Sequence, residues 1–171
     1  MLHELGELLS RKIKLYVDIF FVNGIPFLHT KSKDIDFITI QKLTSRKGVK
    51  IRKQLKFVIS KYLTRGFTIT DVFCDNEFSR ELYESIFLPI TLHIYARGEH
   101  VPIFEHSIGI IKERARAASI NLPHTFYPKL MTISLLEGVD RWLNCIPSNN
   151  ESSINSSLAM ILEGKPLPLA E

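Results

Sequence analysis

Residues 13–41 carry three apolar runs, at 13–22, 26–31 and 35–41, separated only by Asn23-Gly24 and the polar stretch "KSKD". Connections this short leave no room for a crossover, and Asn-Gly is a strong hairpin signal, so the runs are expected to pair as an antiparallel meander. The first run holds a conspicuous carboxylate. In "LYVDIFFVNGIPF", residues 15–27, Asp18 stands between Val17 and Ile19. Burial there costs several kcal/mol unless a hydrogen-bonded partner, a strand end open to water or a metal ion compensates it.

After the meander the period changes. Ile51, Leu55, Val58, Ile59, Tyr62 and Leu63 recur at helical spacing while Lys50, Arg52, Lys53 and Lys56 fall off that face, which predicts an amphipathic helix over 48–64 ending before Gly66. "FTITDVFCD" (67–75) reads as a fourth strand, "NEFSRELYESIF" as a short helix and "LPITLHIYA" (88–96) as a fifth strand. Beyond the loop "RGEHVP", a helix is expected over about 103–118 with Phe104, Ile108, Ile111, Ala115 and Ala118 as its apolar stripe. Another is expected over about 128–145, turning Met131, Leu135, Val139 and Trp142 inward. Residues 1–12 form a lead-in, 13–147 the core, and 148–171 a tail with at most one short helix.

Three antiparallel strands, helix, strand, helix, strand and then helices is the succession of an α/β domain with a ribonuclease-H-like fold. That fold has a five-stranded mixed sheet flanked by helices, its fourth strand parallel beside the first. Asp18 on the first strand and Asp75 at the end of the fourth would then be neighbours, and two adjacent carboxylates repel unless a divalent cation neutralises them. Glu105, in the first turn of the helix after strand five, is placed to supply a third. Three carboxylates suit Mg²⁺ or Mn²⁺, and two such ions about 3.5–4 Å apart can clamp the attacking and leaving oxygens of a phosphodiester displacement.

Each acid also has an ordinary structural explanation: Asp18 as a strand acid with an Arg partner, Asp75 as a helix N-cap, Glu105 as a charge complementing the helix dipole. Glu77 is a rival to Asp75. Glu105, Gly109, Lys112 and Arg116 fall on one helical stripe, so Lys112 and Arg116 are candidate phosphate contacts, with pairing to Glu113 as the alternative. His100 and His106 flank Glu105 and suit either the site or an ordinary surface.

Composition narrows the class. At 171 residues and 45% hydrophobic, the chain can build one domain of ordinary size. Its two cysteines, Cys74 and Cys145, form neither a disulfide framework nor a zinc spacing, which points to a reducing, intracellular setting. The longest apolar stretch, Ile13 to Leu28, is broken by Lys14, Asp18 and Asn23, so neither a membrane span nor a secretion signal is expected. "KLTSRKGVKIRKQLK" (42–56) holds seven of the 22 Lys and Arg and no acid, leaving the rest of the chain net acidic. A cationic surface bearing Lys50, Arg52 and Lys53 suits a phosphate backbone, or is simply a solvated helix face.

"YVDIFFVNGIPF" with Asp18, "RGFTITDVFCDNEF" with Asp75, "EHVPIFEHSIGIIKERARA" with Glu105, and "RWLNCIP" resemble the catalytic core of retroelement integrases, most closely the copia-like retrotransposon type, over roughly residues 13–165. The resemblance implies a polynucleotidyl transferase acting on double-stranded DNA: trimming of an element's 3′ end, then attack of that 3′-OH on target DNA. It implies Asp18, Asp75 and Glu105 as the catalytic acids holding Mg²⁺ or Mn²⁺, a homo-oligomer and a nuclear location. One turn after Glu105, where relatives carry a basic residue, this chain has Gly109, and the turn after Asp75, "NEF", is short. The zinc-binding and basic modules that flank such cores are not seen, which suggests a core fragment or a decayed copy. Two other readings stand beside this one: a catalytically silent integrase-like domain that binds DNA or a partner, and a nuclease that only hydrolyses.

Overall fold

The computed structural model describes residues 11–75, 78, 90–95, 102–120, 122–123, 126–146 and 162. Five strands, β1 (Lys12–Val22), β2 (Ile25–Ser32), β3 (Ile38–Lys42), β4 (Thr68–Asp75) and β5 (Thr91–Tyr95), and three helices, α1 (Gly48–Leu63), α2 (Pro102–Ile120) and α3 (Lys129–Asn144), follow the expected succession. The sheet order is β3-β2-β1-β4-β5. The first three strands form the meander, and β4 and β5 add parallel to β1. The lead-in up to residue 10, the short helix expected after Asp75 apart from Phe78, residues 88–89 and 96 of the expected fifth strand, the 97–101 loop, and the tail apart from Leu162 lie outside the described residues.

Local chemistry sets the turns. Asn23 and Gly24 both take positive φ, 50° and 73°, as a two-residue I′ hairpin requires. The β2–β3 turn is longer than expected. Ser32 and Phe37 close it, the Ser32 N–H donating to Phe37 O at 2.9 Å and the Phe37 N–H to Ser32 Oγ at 3.0 Å, with Asp36 left-handed at φ 57°. Those residues are used by the turn, so β3 begins at Ile38 rather than at 35.

Strand alternation divides the core into two layers. Ile13, Leu15, Val17 and Leu28 pack with Ile51, Leu55, Val58 and Tyr62 of α1, and Leu162 of the tail joins them. On the opposite face Phe20, Ile25, Phe27, Ile38 and Ile40 pack with Ile111 and Ala115 of α2 and Ile133, Leu136 and Val139 of α3. The expected helix stripes need correction. Leu63 and Ala118 are exposed, and Ser107 takes a buried place on α2. α3 turns Thr132, Ile133, Leu136, Val139 and Asn144 inward, with Leu135 half-buried against the same core, whereas Met131 and Trp142 are not part of it. Trp142 is 45% exposed, with the Arg114 guanidinium 4.9 Å from its ring centroid.

The physical reason is a polar demand at the sheet edge. β3 is an edge strand, and the buried Asn144 side chain pairs with it: the Ile38 N–H donates to Asn144 Oδ1 at 3.0 Å, and Asn144 Nδ2 donates to Ile38 O at 2.9 Å. Residues 142 and 144 differ by about 200° around a helix, so facing Asn144 to the sheet turns Trp142 out.

Candidate metal and nucleic-acid site

The register builds one row of residues across the sheet. His29 pairs with Ile40 on β3 and with Asp18 on β1, and Asp75 on β4 pairs with Tyr95 on β5. The parallel β1–β4 ladder runs to Val17–Cys74, and the positions that follow are Asp18 and Asp75. Alternation puts both carboxylates on the face covered by α2, the face on which Tyr16 stacks on Phe73 at 4.9 Å between ring centroids. Asp18 and Asp75 are half-buried, and Asp18 Oδ1 accepts the Ile19 N–H at 2.7 Å. The Cys74 thiol beside Asp75 is buried, and burial first, then the Asp75 carboxylate, push it up to about 12, so it stays protonated.

Glu105 lies in the first turn of α2 and is exposed. Beside it in sequence, Phe104 meets the Tyr16 ring edge-on at 5.5 Å, and Ser107 is buried against His29. Among the described residues, no three His, Cys, Asp or Glu come close enough to hold a metal ion. The sheet therefore sets two acids side by side, and Glu105 does not close a ligand set around them. In kind the donors fit a hard divalent cation, since all three are carboxylates and two stand at adjacent positions on one face.

Lys112 and Arg116 line a cavity of about 320 Å³ between α2 and the β1–β2 hairpin, together with Phe21, Asn23, Ser119 and Tyr127. The basic run lies elsewhere. Lys50 and Lys53 are exposed on α1, across the sheet from the acids, and Arg52 is half-buried with its Nε enclosed and without a hydrogen-bond acceptor among the described residues. Arg46, ahead of α1, reaches the hairpin, its guanidinium 5.5 Å from the Phe21 ring centroid. His106 is exposed on α2, while Glu77 and His100 lie outside the described residues. No described helix is long and apolar enough to cross a membrane.

Two polar pairs carry no sequence signal because their partners are far apart along the chain. His29 Nε2 lies 2.8 Å from Ser107 Oγ, and Nδ1 lies 3.3 Å from the Thr39 carbonyl. A carbonyl only accepts, so Nδ1 carries the proton and Ser107 donates to Nε2. Burial lowers His29 to about 4, keeping the ring neutral. Farther along the sheet, Asp71 Oδ1 and His93 Nε2 lie 2.8 Å apart, and the Asp71 carboxyl is held low by that hydrogen bond and by one from Thr70.

Strand order, the parallel β1–β4 pair and helices on both faces define a ribonuclease-H-like fold. Among solved structures the chain is similar to the catalytic core domain of BIV integrase, with a TM-score of 0.61 and 13% identity, covering 88% of this chain and 93% of that one. At this identity the likeness establishes the fold. No protein-family model matches the chain, and no curated protein is similar to it in sequence.

Proposed function

We propose that this chain is the catalytic core of a retrotransposon integrase of the copia-like type, a polynucleotidyl transferase that trims element DNA 3′ ends and joins them to target DNA in the nucleus as a homo-oligomer. The observation that supports it most is the register setting Asp18 beside Asp75 on the α2 face, within a fold shared with an integrase core. Asp18, Asp75 and Glu105 would hold Mg²⁺ or Mn²⁺, as a pair of ions. The bound ions would neutralise the adjacent carboxylates and supply Lewis acidity to the phosphodiester. Lys112 and Arg116 would contact phosphates of the DNA end on the same side, while Lys50, Arg52 and Lys53 hold a more distant stretch of duplex.

A second reading, an integrase-like domain that binds DNA without catalysis, is favoured by the unclosed ligand set and by Gly109. The deciding experiment is joining of a pre-trimmed DNA 3′ end to target duplex in Mn²⁺, with Asp18→Asn, Asp75→Asn and Glu105→Gln as controls. Joining by the wild type and loss of at least about 100-fold in each variant supports the transferase. Cleavage without joining identifies a hydrolysing endonuclease, and DNA binding with neither activity identifies the silent domain.

A further inference from the structure

We propose that His29 and Ser107 form a buried latch that fixes how α2 is seated on the sheet, and thereby sets Glu105 relative to Asp18 and Asp75; both are positioning residues, and the inference rests on the metal reading above. His29 is fully buried and Ser107 is 6% exposed. Their 2.8 Å hydrogen bond joins residues 78 apart in sequence. Its two ends are the informative part. His29 is the direct β-register partner of Asp18, so one end sits in the row that carries both aspartates. Ser107 is two residues from Glu105, so the other end sits at the turn that carries the glutamate.

The neighbouring α2–sheet contact, Tyr16 edge-on to Phe104, is apolar. That packing restrains the helix through shape, and a short hydrogen bond adds a directional restraint on both its depth and its rotation. Two residues span about 200° of helix, so holding Ser107 toward β2 determines the direction in which Glu105 leaves the helix. The imidazole is itself held: Nδ1 donates to Thr39 O, and the Phe20 ring meets its edge at 6.2 Å.

A serine donating to a histidine whose far nitrogen carries the proton also resembles a nucleophile with its base. The surroundings argue against that use here. Both groups are shut off from solvent, and Nδ1 faces a neutral carbonyl rather than a carboxylate; the carbonyl's pull toward the imidazolium is outweighed by burial, and no substrate reaches Oγ.

The test is titration calorimetry with Mn²⁺ on the full chain, with thermal unfolding in parallel, for the wild type, Asp18→Asn, Ser107→Ala and the double variant His29→Leu/Ser107→Ala. Ser107→Ala strands the His29 acceptor and lowers the melting temperature. The double variant removes both polar partners and recovers much of that loss, which keeps a folded protein in the experiment. A latch predicts that both variants bind Mn²⁺ about tenfold more weakly than the wild type, the scale seen when groups supporting metal ligands are removed, and that Ser107→Thr restores affinity. If Asp18→Asn abolishes binding while the double variant binds as tightly as the wild type, the pair is only core packing and the latch is wrong. If the wild type and Asp18→Asn bind alike, the metal reading itself fails and takes the latch with it.

Discussion

His29 is fully buried and Asp140 half-buried, and the two are shifted in opposite senses. Burial lowers His29 from 6.5 to about 4. Burial raises Asp140 on α3 from 3.8 to about 7, although Lys61, Arg141 and the Ile40 N–H pull it down and Glu137 adds to the rise. A histidine depressed in the fold contributes stability that is present above 6.5 and lost as pH falls toward 4. A carboxyl raised in the fold contributes stability that is present below 3.8 and lost as pH rises toward 7. Across pH 4–6.5 the two slopes oppose, each about 1.4 kcal/mol per pH unit at full difference in proton binding. Urea unfolding is therefore expected to show a shallow pH dependence in the wild type. In Asp140→Asn, stability should fall steeply as pH drops from 6.5 to 4.5. Equal slopes in the two proteins would mean that Asp140 titrates normally. None of this was legible in the chain, because His29 reads as one strand residue among others and Asp140 as a surface acid of a helix.

At the scale of elements, the Asn23-Gly24 turn and the helix ends were the readable part, whereas the β2–β3 turn was read too short. Gly66 ends α1 in a Schellman turn, with the Phe67 N–H donating to Tyr62 O at 3.0 Å and the Gly66 N–H to Leu63 O at 3.0 Å, at φ 78°. A Cβ there would lie 2.8 Å from the Arg11 guanidinium. Gly109 sits inside α2 at an ordinary φ with nothing within 4 Å of an added Cβ. The two glycines should respond oppositely to alanine: Gly66→Ala is expected to lower stability by about 1–2 kcal/mol, and Gly109→Ala to raise it by about 0.5–1 kcal/mol. Melting temperatures that move in the same direction would refute this contrast. Helix rotation was less legible. Periodicity located α3 within a residue at each end but faced Trp142 inward, because hydropathy does not register that an asparagine amide is the best partner for the open edge of β3.

For the whole molecule, the sheet separates two sets of cations. Lys112 and Arg116 share the face of Asp18 and Asp75, whereas Lys50 and Lys53 lie on α1 behind it. On the proposed reading, a short duplex held at the acids does not touch both sets. Replacing Lys112 and Arg116 with Gln should reduce the salt slope of DNA binding by about 2, one unit for each phosphate no longer neutralised, for short and long duplexes alike. Replacing Lys50, Arg52 and Lys53 should flatten the slope for long duplexes only. An equal effect of the triple substitution on a short duplex would show that DNA lies along α1 instead.

Element order among the described residues, the hairpin at Asn23-Gly24 and the stop at Gly66 were legible in the chain, because they follow from local backbone preferences and hydrophobic periodicity, whereas the parallel neighbourhood of Asp18 and Asp75 was expected only from the likeness of that order to a ribonuclease-H-like fold. Which strands become neighbours, which way each helix is turned, which cations share the acids' face, and that His29 reaches Ser107 were settled by packing in three dimensions. Those outcomes depend on satisfying buried polar groups between residues far apart in the chain, a requirement that no local pattern encodes.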